Sequence, residues 1–254
     1  MPRSAPSVQK ISQRLHVTQD LAARQQLVLA DQQGHYLRNV LRLEAGARIL
    51  LFNGRDGEWL GRVIDIGKKK VAIELVEQTR AQDAGSDIWL LVAPVKKDRL
   101  DYLAQKATEM GVGRLMPVMT ARVQGGRTVR RDKLHTNAIE AAEQCQILTV
   151  PEISEVTNLA HILADWPQDR TLIFCDEEAQ AGQGLARLDA LKGKKLAVLI
   201  GPEGGFDAAE RSMLNARADT HALSLGPRIL RTDTAVVAVL ALIQARLGDW
   251  SERD

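Results

Sequence analysis

The sequence predicts an α/β protein: a mostly parallel sheet flanked by helices, preceded by a small β-barrel. Three observations carry this. Short strands separated by tight turns fill the region before residue 80. A polar stretch, Gln78–Asp87, then reads as a linker. Beyond it, apolar strand segments alternate with helical patterns, as in βαβ units. The expected domains are 1–80 and 81–254.

In the first region, Asp31–Leu43 reads as a helix with Tyr36, Leu37, Val40 and Leu41 apolar. Arg48–Phe52 reads as a strand, and Asn53-Gly54 as a hairpin-type turn. Glu58–Ile66 and Lys69–Val76 follow as strands around Gly67. In the second region, Ile88–Val92 is a continuous apolar run, the mark of a strand buried on both faces. Asp98–Met110 reads as a helix stopped by Gly111. Arg114–Val118, Thr171–Cys175, Leu196–Ile200 and His221–Leu225 read as further strands. Asp132–Ile147, Leu185–Leu191, Asp207–Arg217 and Thr234–Leu247 read as helices. The third of these carries Asp207 and Glu210 at capping-box spacing, and the last ends at Gly248.

Composition excludes several classes. The chain has 254 residues, 45% hydrophobic and 26% charged, so it is neither a disordered tail nor a fibrous repeat. Its longest apolar stretches, Ile88–Val95 and Ala235–Ile243, are too short to span a bilayer. Met1-Pro2-Arg3-Ser4 lacks the apolar core of a signal peptide, and two cysteines build no disulfide framework. The expectation is a cytoplasmic protein. Residues 1–80 hold 13 Lys/Arg against 8 Asp/Glu, whereas residues 81–254 hold 21 against 24. A basic amino-terminal part suits a polyanion partner, and equally an ordinary solvated surface. A second basic run, Arg122 to Lys133, surrounds Gly125-Gly126.

There is no G-x-G-x-x-G, Walker A, H-E-x-x-H, paired C-x-x-C or G-x-S-x-G sequence, and the five histidines show no metal-ligand spacing. No metal is expected. Two segments share a strand–loop–helix plan: Leu199-Ile200-Gly201-Pro202-Glu203-Gly204-Gly205-Phe206, and Leu223 through Thr234 with Gly226-Pro227. Glycines at the carboxyl end of a strand allow a ligand to approach backbone, and that edge is the usual crevice of an open α/β sheet. Phe174-Cys175-Asp176-Glu177 ends a third strand. A structural tight turn is the competing reading for each loop taken singly.

These segments resemble the SPOUT class of methyltransferases, and within it the uridine-N3 methyltransferases of 16S ribosomal RNA. The resemblance rests on Leu199–Phe206 and Leu225–Thr232. Lys106–Val112, Pro117, Thr120, Arg122 and Glu140–Cys145 support it, as do His35-Tyr36-Leu37, Val40-Leu41-Arg42, Gly46 and Leu51–Gly54. Two departures stand out. Asp233 replaces the family's usual Glu, and Gln146-Ile147 stands where the family often has Gly-Arg.

The resemblance implies a PUA-like, RNA-binding barrel followed by a trefoil-knotted SPOUT domain that works as a homodimer. It implies S-adenosylmethionine as cofactor, held by Phe174, Asp176, Glu177, Ile200, Gly201, Pro202, Glu203, Gly204, Gly205, Leu225, Gly226, Ile229, Leu230 and Thr234. The implied reaction is methylation of uracil N3 of one uridine, expected at nucleotide 1498 in the standard numbering. The implied substrate is 16S rRNA within an assembled small subunit. Arg231 would stabilise charge on a uracil oxygen. Glu203 or Asp233 would accept the N3 proton, and an N-cap role for Asp233 stays open. Arg14, His35, Arg38, Arg42, Arg122, Arg127, Arg130 and Arg131 would contact RNA. Three alternatives remain: ribose 2′-O-methylation, a non-catalytic RNA-binding scaffold, and a phosphate-binding α/β enzyme. Glu203 and Asp233 in the loops oppose the last.

Overall fold

The computed structural model describes residues 13–123, 128–179 and 188–250. The chain divides into two compact units, Met1–Ala84 and Gly85–Asp254.

The first unit is a five-stranded mixed sheet of β1 (Arg14–His16), β2 (Gln26–Leu29), β3 (Arg48–Phe52), β4 (Glu58–Ile66) and β5 (Val71–Arg80), in the order β1-β3-β4-β5-β2. β3 and β4 keep the boundaries read from the sequence. β1 and β2 were not foreseen, because segments of three and four residues carry too little periodicity. β5 continues to Arg80, into the expected linker, because the long β4 supplies partners: Gln78 lies opposite Trp59 and Arg80 opposite Glu58. The turn after β3 is built by Asn53, whose Oδ1 accepts from the backbone of Arg55 at 3.0 Å and Asp56 at 2.8 Å. Its core is formed by residues such as Leu29, Leu37, Ile49, Leu51 and Ile73.

The helix expected over Asp31–Leu43 is shorter. α1 (Asp31–His35) passes into a π-helical turn, Tyr36–Val40, and Arg42 then takes φ +51°, which stops the helix.

The second unit holds β6 (Ile88–Val92), α2 (Lys97–Glu109), β7 (Val112–Met119), α3 (Arg131–Gln144), β8 (Glu152–Ile153), β9 (Thr157–Asn158), α4 (Leu159–Ala164), β10 (Arg170–Cys175), β11 (Lys195–Ile200), α5 (Ala208–Asn215), β12 (Thr220–Leu223) and α6 (Thr232–Leu247). Its strands run in the order β12-β10-β11-β6-β7-β8, every pairing parallel. Of the expected helix Leu185–Leu191, residues 185–187 lie outside the described residues, and Leu188 and Asp189 are helical.

Alternation along the strands feeds two cores. Leu90, Val92, Ile173, Val198 and Ile200 pack on one face with α2 and α6. Leu91, Leu172, Phe174, Ala197 and Leu199 pack on the other with Phe206, Leu214 and Trp166. A sheet covered on both faces explains why these strands read as unbroken apolar runs.

Helix ends follow local chemistry. Gly111 takes φ +76° after α2, and an added Cβ there would meet Gln244 Nε2 at 2.7 Å. α5 carries the expected capping box between Asp207 and Glu210. α3 ends in a Schellman arrangement, with Ile147 N donating to Ala142 O at 3.1 Å. Gln146 sits there at φ +59°, a conformation that favours glycine, which is the residue the family resemblance expects at this position.

Candidate functional site

The carboxyl ends of three adjacent strands converge. Cys175 of β10 is in register with Ile200 of β11 and Leu223 of β12. All three line a pocket with Asp176 and Glu177, with Gly201, Pro202, Glu203, Gly205 and Phe206, and with Leu225, Gly226, Arg228, Ile229 and Leu230. Thr232 and Ala235 of α6 complete it. The two Gly-Pro loops therefore form facing walls of one cavity, and the end of β10 forms a third.

The Gly201–Phe206 loop is tied in place. Arg122 Nη1 donates to Gly204 O at 2.7 Å. Arg99 Nη1 donates to Glu203 Oε1 at 3.3 Å. Glu210, besides closing the capping box, accepts from Ala121 N at 2.7 Å. Gly205 takes φ +67°, and an added Cβ would lie 2.9 Å from Glu177 Oε1. Thr232 Oγ1 donates to Gly201 O at 3.3 Å and links this loop to the start of α6.

The Leu225–Leu230 loop is more open. Ile229 is 83% exposed. Gly226 takes φ +105°, and an added Cβ there would meet no atom within 4 Å. Burial pushes the Cys175 thiol far above its ordinary value, and the neighbouring Asp176 adds to this. A neutral thiol at the pocket floor is a poor nucleophile. Among the described residues, no group of three or more His, Cys, Asp or Glu is placed to hold a metal ion.

Most of the expected cofactor residues meet at this pocket. Phe174, Gly204 and Thr234 do not line it. Phe174 is fully buried on the opposite face of the sheet, edge-on to Phe206 at 5.9 Å, because adjacent strand residues point to opposite faces. Gly204 is turned toward Arg122. Thr234 is exposed on the first turn of α6. That helix begins at Thr232, two residues earlier than expected, with Arg231 at the N-cap. Asp233 is consequently not the cap; its Oδ1 accepts from Thr234 N at 3.0 Å. Of the three expected catalytic residues, Glu203 lines the pocket, while Arg231 and Asp233 follow directly on its Leu230 wall.

The expected RNA contacts divide. Arg14 is buried, bonded to Glu58 at 2.7 Å and stacked 4.3 Å from the Phe52 ring, so it is a core ion pair and not an RNA contact. His35 and Arg42 are exposed. Arg38 donates to Gly67 O at 3.1 Å. Arg122 is engaged with Gly204. Arg130 is exposed and paired with Asp132 at 2.8 Å. Arg131 donates to Ile153 O at 2.8 Å and pairs with Glu155, which ties α3 to β8. Arg127 lies outside the described residues. The expected site left out Arg99 and Arg211, which carry no sequence signal, and the pocket-lining Phe206, Leu223, Arg228, Thr232 and Ala235, all but the last of which stand within the two Gly-Pro segments singled out above.

Comparison with known proteins fits this geometry. Residues 82–244 match the family model described as an RNA methyltransferase domain, and residues 29–76 match one described as an RNA methyltransferase PUA domain. The fold and site thus define an RNA methyltransferase with an amino-terminal PUA domain. "Ribosomal RNA small subunit methyltransferase E" of Rickettsia conorii is 33% identical over 92% of this chain and 95% of its own length. The Bacillus subtilis protein of the same name is 28% identical over 82% and 86%. The crystal structure of the Neisseria gonorrhoeae protein of that name, bound to S-adenosyl methionine, superposes with a TM-score of 0.85. It is 27% identical and covers 94% of this chain and 99% of its own. The chain belongs to the ribosomal RNA small subunit methyltransferase E family.

Proposed function

We propose that the chain uses S-adenosylmethionine to methylate uracil N3 of one uridine in 16S rRNA, at the nucleotide named above, within an assembled small subunit. The observation that carries this reading is the pocket made where two Gly-Pro loops meet the carboxyl ends of β10, β11 and β12. Relatives named for small-subunit rRNA methylation, one of them bound to S-adenosyl methionine, support it.

The pocket residues fit that cofactor. Ile200, Leu225, Ile229 and Leu230 offer apolar surface for adenine, while Gly201, Gly205 and Gly226 leave backbone accessible. Asp176, Glu177 and Glu203 suit a cationic ligand. When bound, the cofactor supplies an electrophilic methyl group on a sulfonium.

The chain's own residues have two tasks. Uracil N3 carries a proton and lacks a free lone pair, so that proton must leave. Glu203 is the better placed carboxylate, since it lines the pocket and Asp233 does not. Arg231, exposed at the α6 N-cap, has no salt-bridge partner among the described residues and stabilises charge on a uracil oxygen. His35, Arg38, Arg42, Arg127 and Arg130 grip phosphates. The amino-terminal domain serves RNA binding, and the carboxyl-terminal domain is knotted, dimeric and catalytic. The protein works in the cytoplasm.

Small subunits from a strain lacking this gene, incubated with the protein and methyl-labelled cofactor, test the reading. Label in 3-methyluridine of 16S RNA is the expected result. Label in a 2′-O-methyl nucleoside, or none with a protein that binds the cofactor, refutes it.

A further inference from the structure

One guanidinium beside the pocket gathers three consecutive carboxylates. Arg211, on the first turns of α5, donates from Nε to Asp176 Oδ1 at 3.1 Å and Oδ2 at 3.3 Å. Its Nη1 lies 2.6 Å from Glu178, and its Nη2 lies 3.7 Å from Glu177 Oε1. The Arg211 side chain is only 15% exposed. Asp176 is buried, and its Oδ1 also accepts from Glu178 N at 3.2 Å.

The arrangement joins two walls. α5 continues directly from the Gly201–Phe206 loop, whereas Asp176–Glu178 follow β10. Glu177 Oε1 lies 2.9 Å from where a Cβ on Gly205 would stand. A guanidinium offers a planar fork of donors that can hold several oxygens in fixed directions, which an ammonium cannot.

We infer that Arg211 is a positioning residue for the cofactor pocket: it holds the Asp176–Glu178 carboxylates against the Gly201–Phe206 loop and so fixes the shape of the wall that Glu177 contributes. This rests on S-adenosylmethionine occupying the pocket.

The alternative role for Arg211, charge neutralisation alone, predicts the opposite sign. Removing one positive charge beside acidic groups would then strengthen binding of the cationic cofactor, and would leave its neutral demethylated product unaffected. Positioning predicts that both weaken together.

Calorimetric titration of the purified full chain with S-adenosylmethionine and with S-adenosylhomocysteine separates these. For Arg211→Ala, roughly tenfold weaker binding of both is expected, equivalent to about 1.4 kcal/mol. KM for the cofactor rises in parallel while kcat at saturation stays within about twofold. Arg211→Lys, which keeps the charge and loses the fork, is expected to weaken both ligands several-fold. Unchanged or tighter cofactor binding in a folded Arg211→Ala protein overturns the inference. If the alanine variant fails to fold, unchanged affinities in Arg211→Lys overturn it instead. Wild-type chain that binds the cofactor but forms no 3-methyluridine refutes the proposed reaction without touching this inference. Wild-type chain that does not bind the cofactor removes the ground for both.

Discussion

The two loops that face each other across the pocket are built alike in sequence and held differently in space. Each runs from a parallel strand through Gly-Pro into a helix. The Gly201–Phe206 loop is bonded by Arg99, Arg122 and Thr232, and leads into a fully capped α5. The Leu225–Leu230 loop leaves Ile229 in solvent and Gly226 with open space at its Cβ position. One wall is a fixed frame and the other is an open face that a ligand can meet. Preorganisation on one side reduces the cost of binding, while the open side leads directly to Arg231 at the α6 N-cap.

The largest expected effect tests the open wall. Arg231→Ala should lower methyl transfer by about 10²–10³-fold, the scale of losing one donor to developing negative charge. Cofactor affinity, measured by calorimetry, should stay the same. A retained rate would show that the open loop carries no catalytic group.

Alanine at the two glycines compares the walls directly. Gly205→Ala combines a positive φ with a 2.9 Å approach to Glu177, whereas Gly226→Ala has the positive φ and free space. Both should lose stability by about 1–3 kcal/mol in thermal unfolding, Gly205→Ala by more. Equal losses would break the comparison.

The far end of α5 gives a pH test. The Arg217 guanidinium beside Asp219 holds its carboxyl below the usual carboxylate range, with Thr220 assisting. A depressed carboxyl contributes stability that is present above its unfolded value, about 3.9, and is lost as pH falls through the folded value. Stability should therefore fall with acid below about pH 4, and Asp219→Asn should flatten that slope.

The smallest stability change belongs to Ile229→Ser. An 83% exposed side chain should cost within about 0.5 kcal/mol when replaced, while cofactor affinity falls. A sizeable drop in melting temperature would mean that the open wall is packed after all. Away from both loops, Gln146→Gly relieves a left-handed residue at the end of α3. It should raise stability by up to about 1 kcal/mol.

Strand boundaries such as Ile88–Val92 and Arg48–Phe52 were legible because apolar runs and turn residues are local signals. The capping box of α5 and the Gly111 stop were legible for the same reason. β1, β2 and the full length of β5 were not, since their pairing partners lie far along the chain. The start of α6 was misplaced by two residues, because Arg231 is a weak sequence signal for an N-cap.

The candidate site divides in the same way. Sequence alone determined that two Gly-Pro loops end parallel strands, that carboxylates stand in them, and which family the motifs resemble. These follow from residue type and spacing along the chain. Only the tertiary structure decided that β12, β10 and β11 are neighbours, so that three loop regions share one pocket. It turned Phe174 into the core and Cys175 toward the pocket, because a strand's faces alternate and only packing decides which face is which. It also buried Arg14 against Glu58 and aimed Arg211 at Asp176. Arginine is identical in sequence whether it reaches for solvent or for a buried carboxylate, and the fold alone brings the partner within reach.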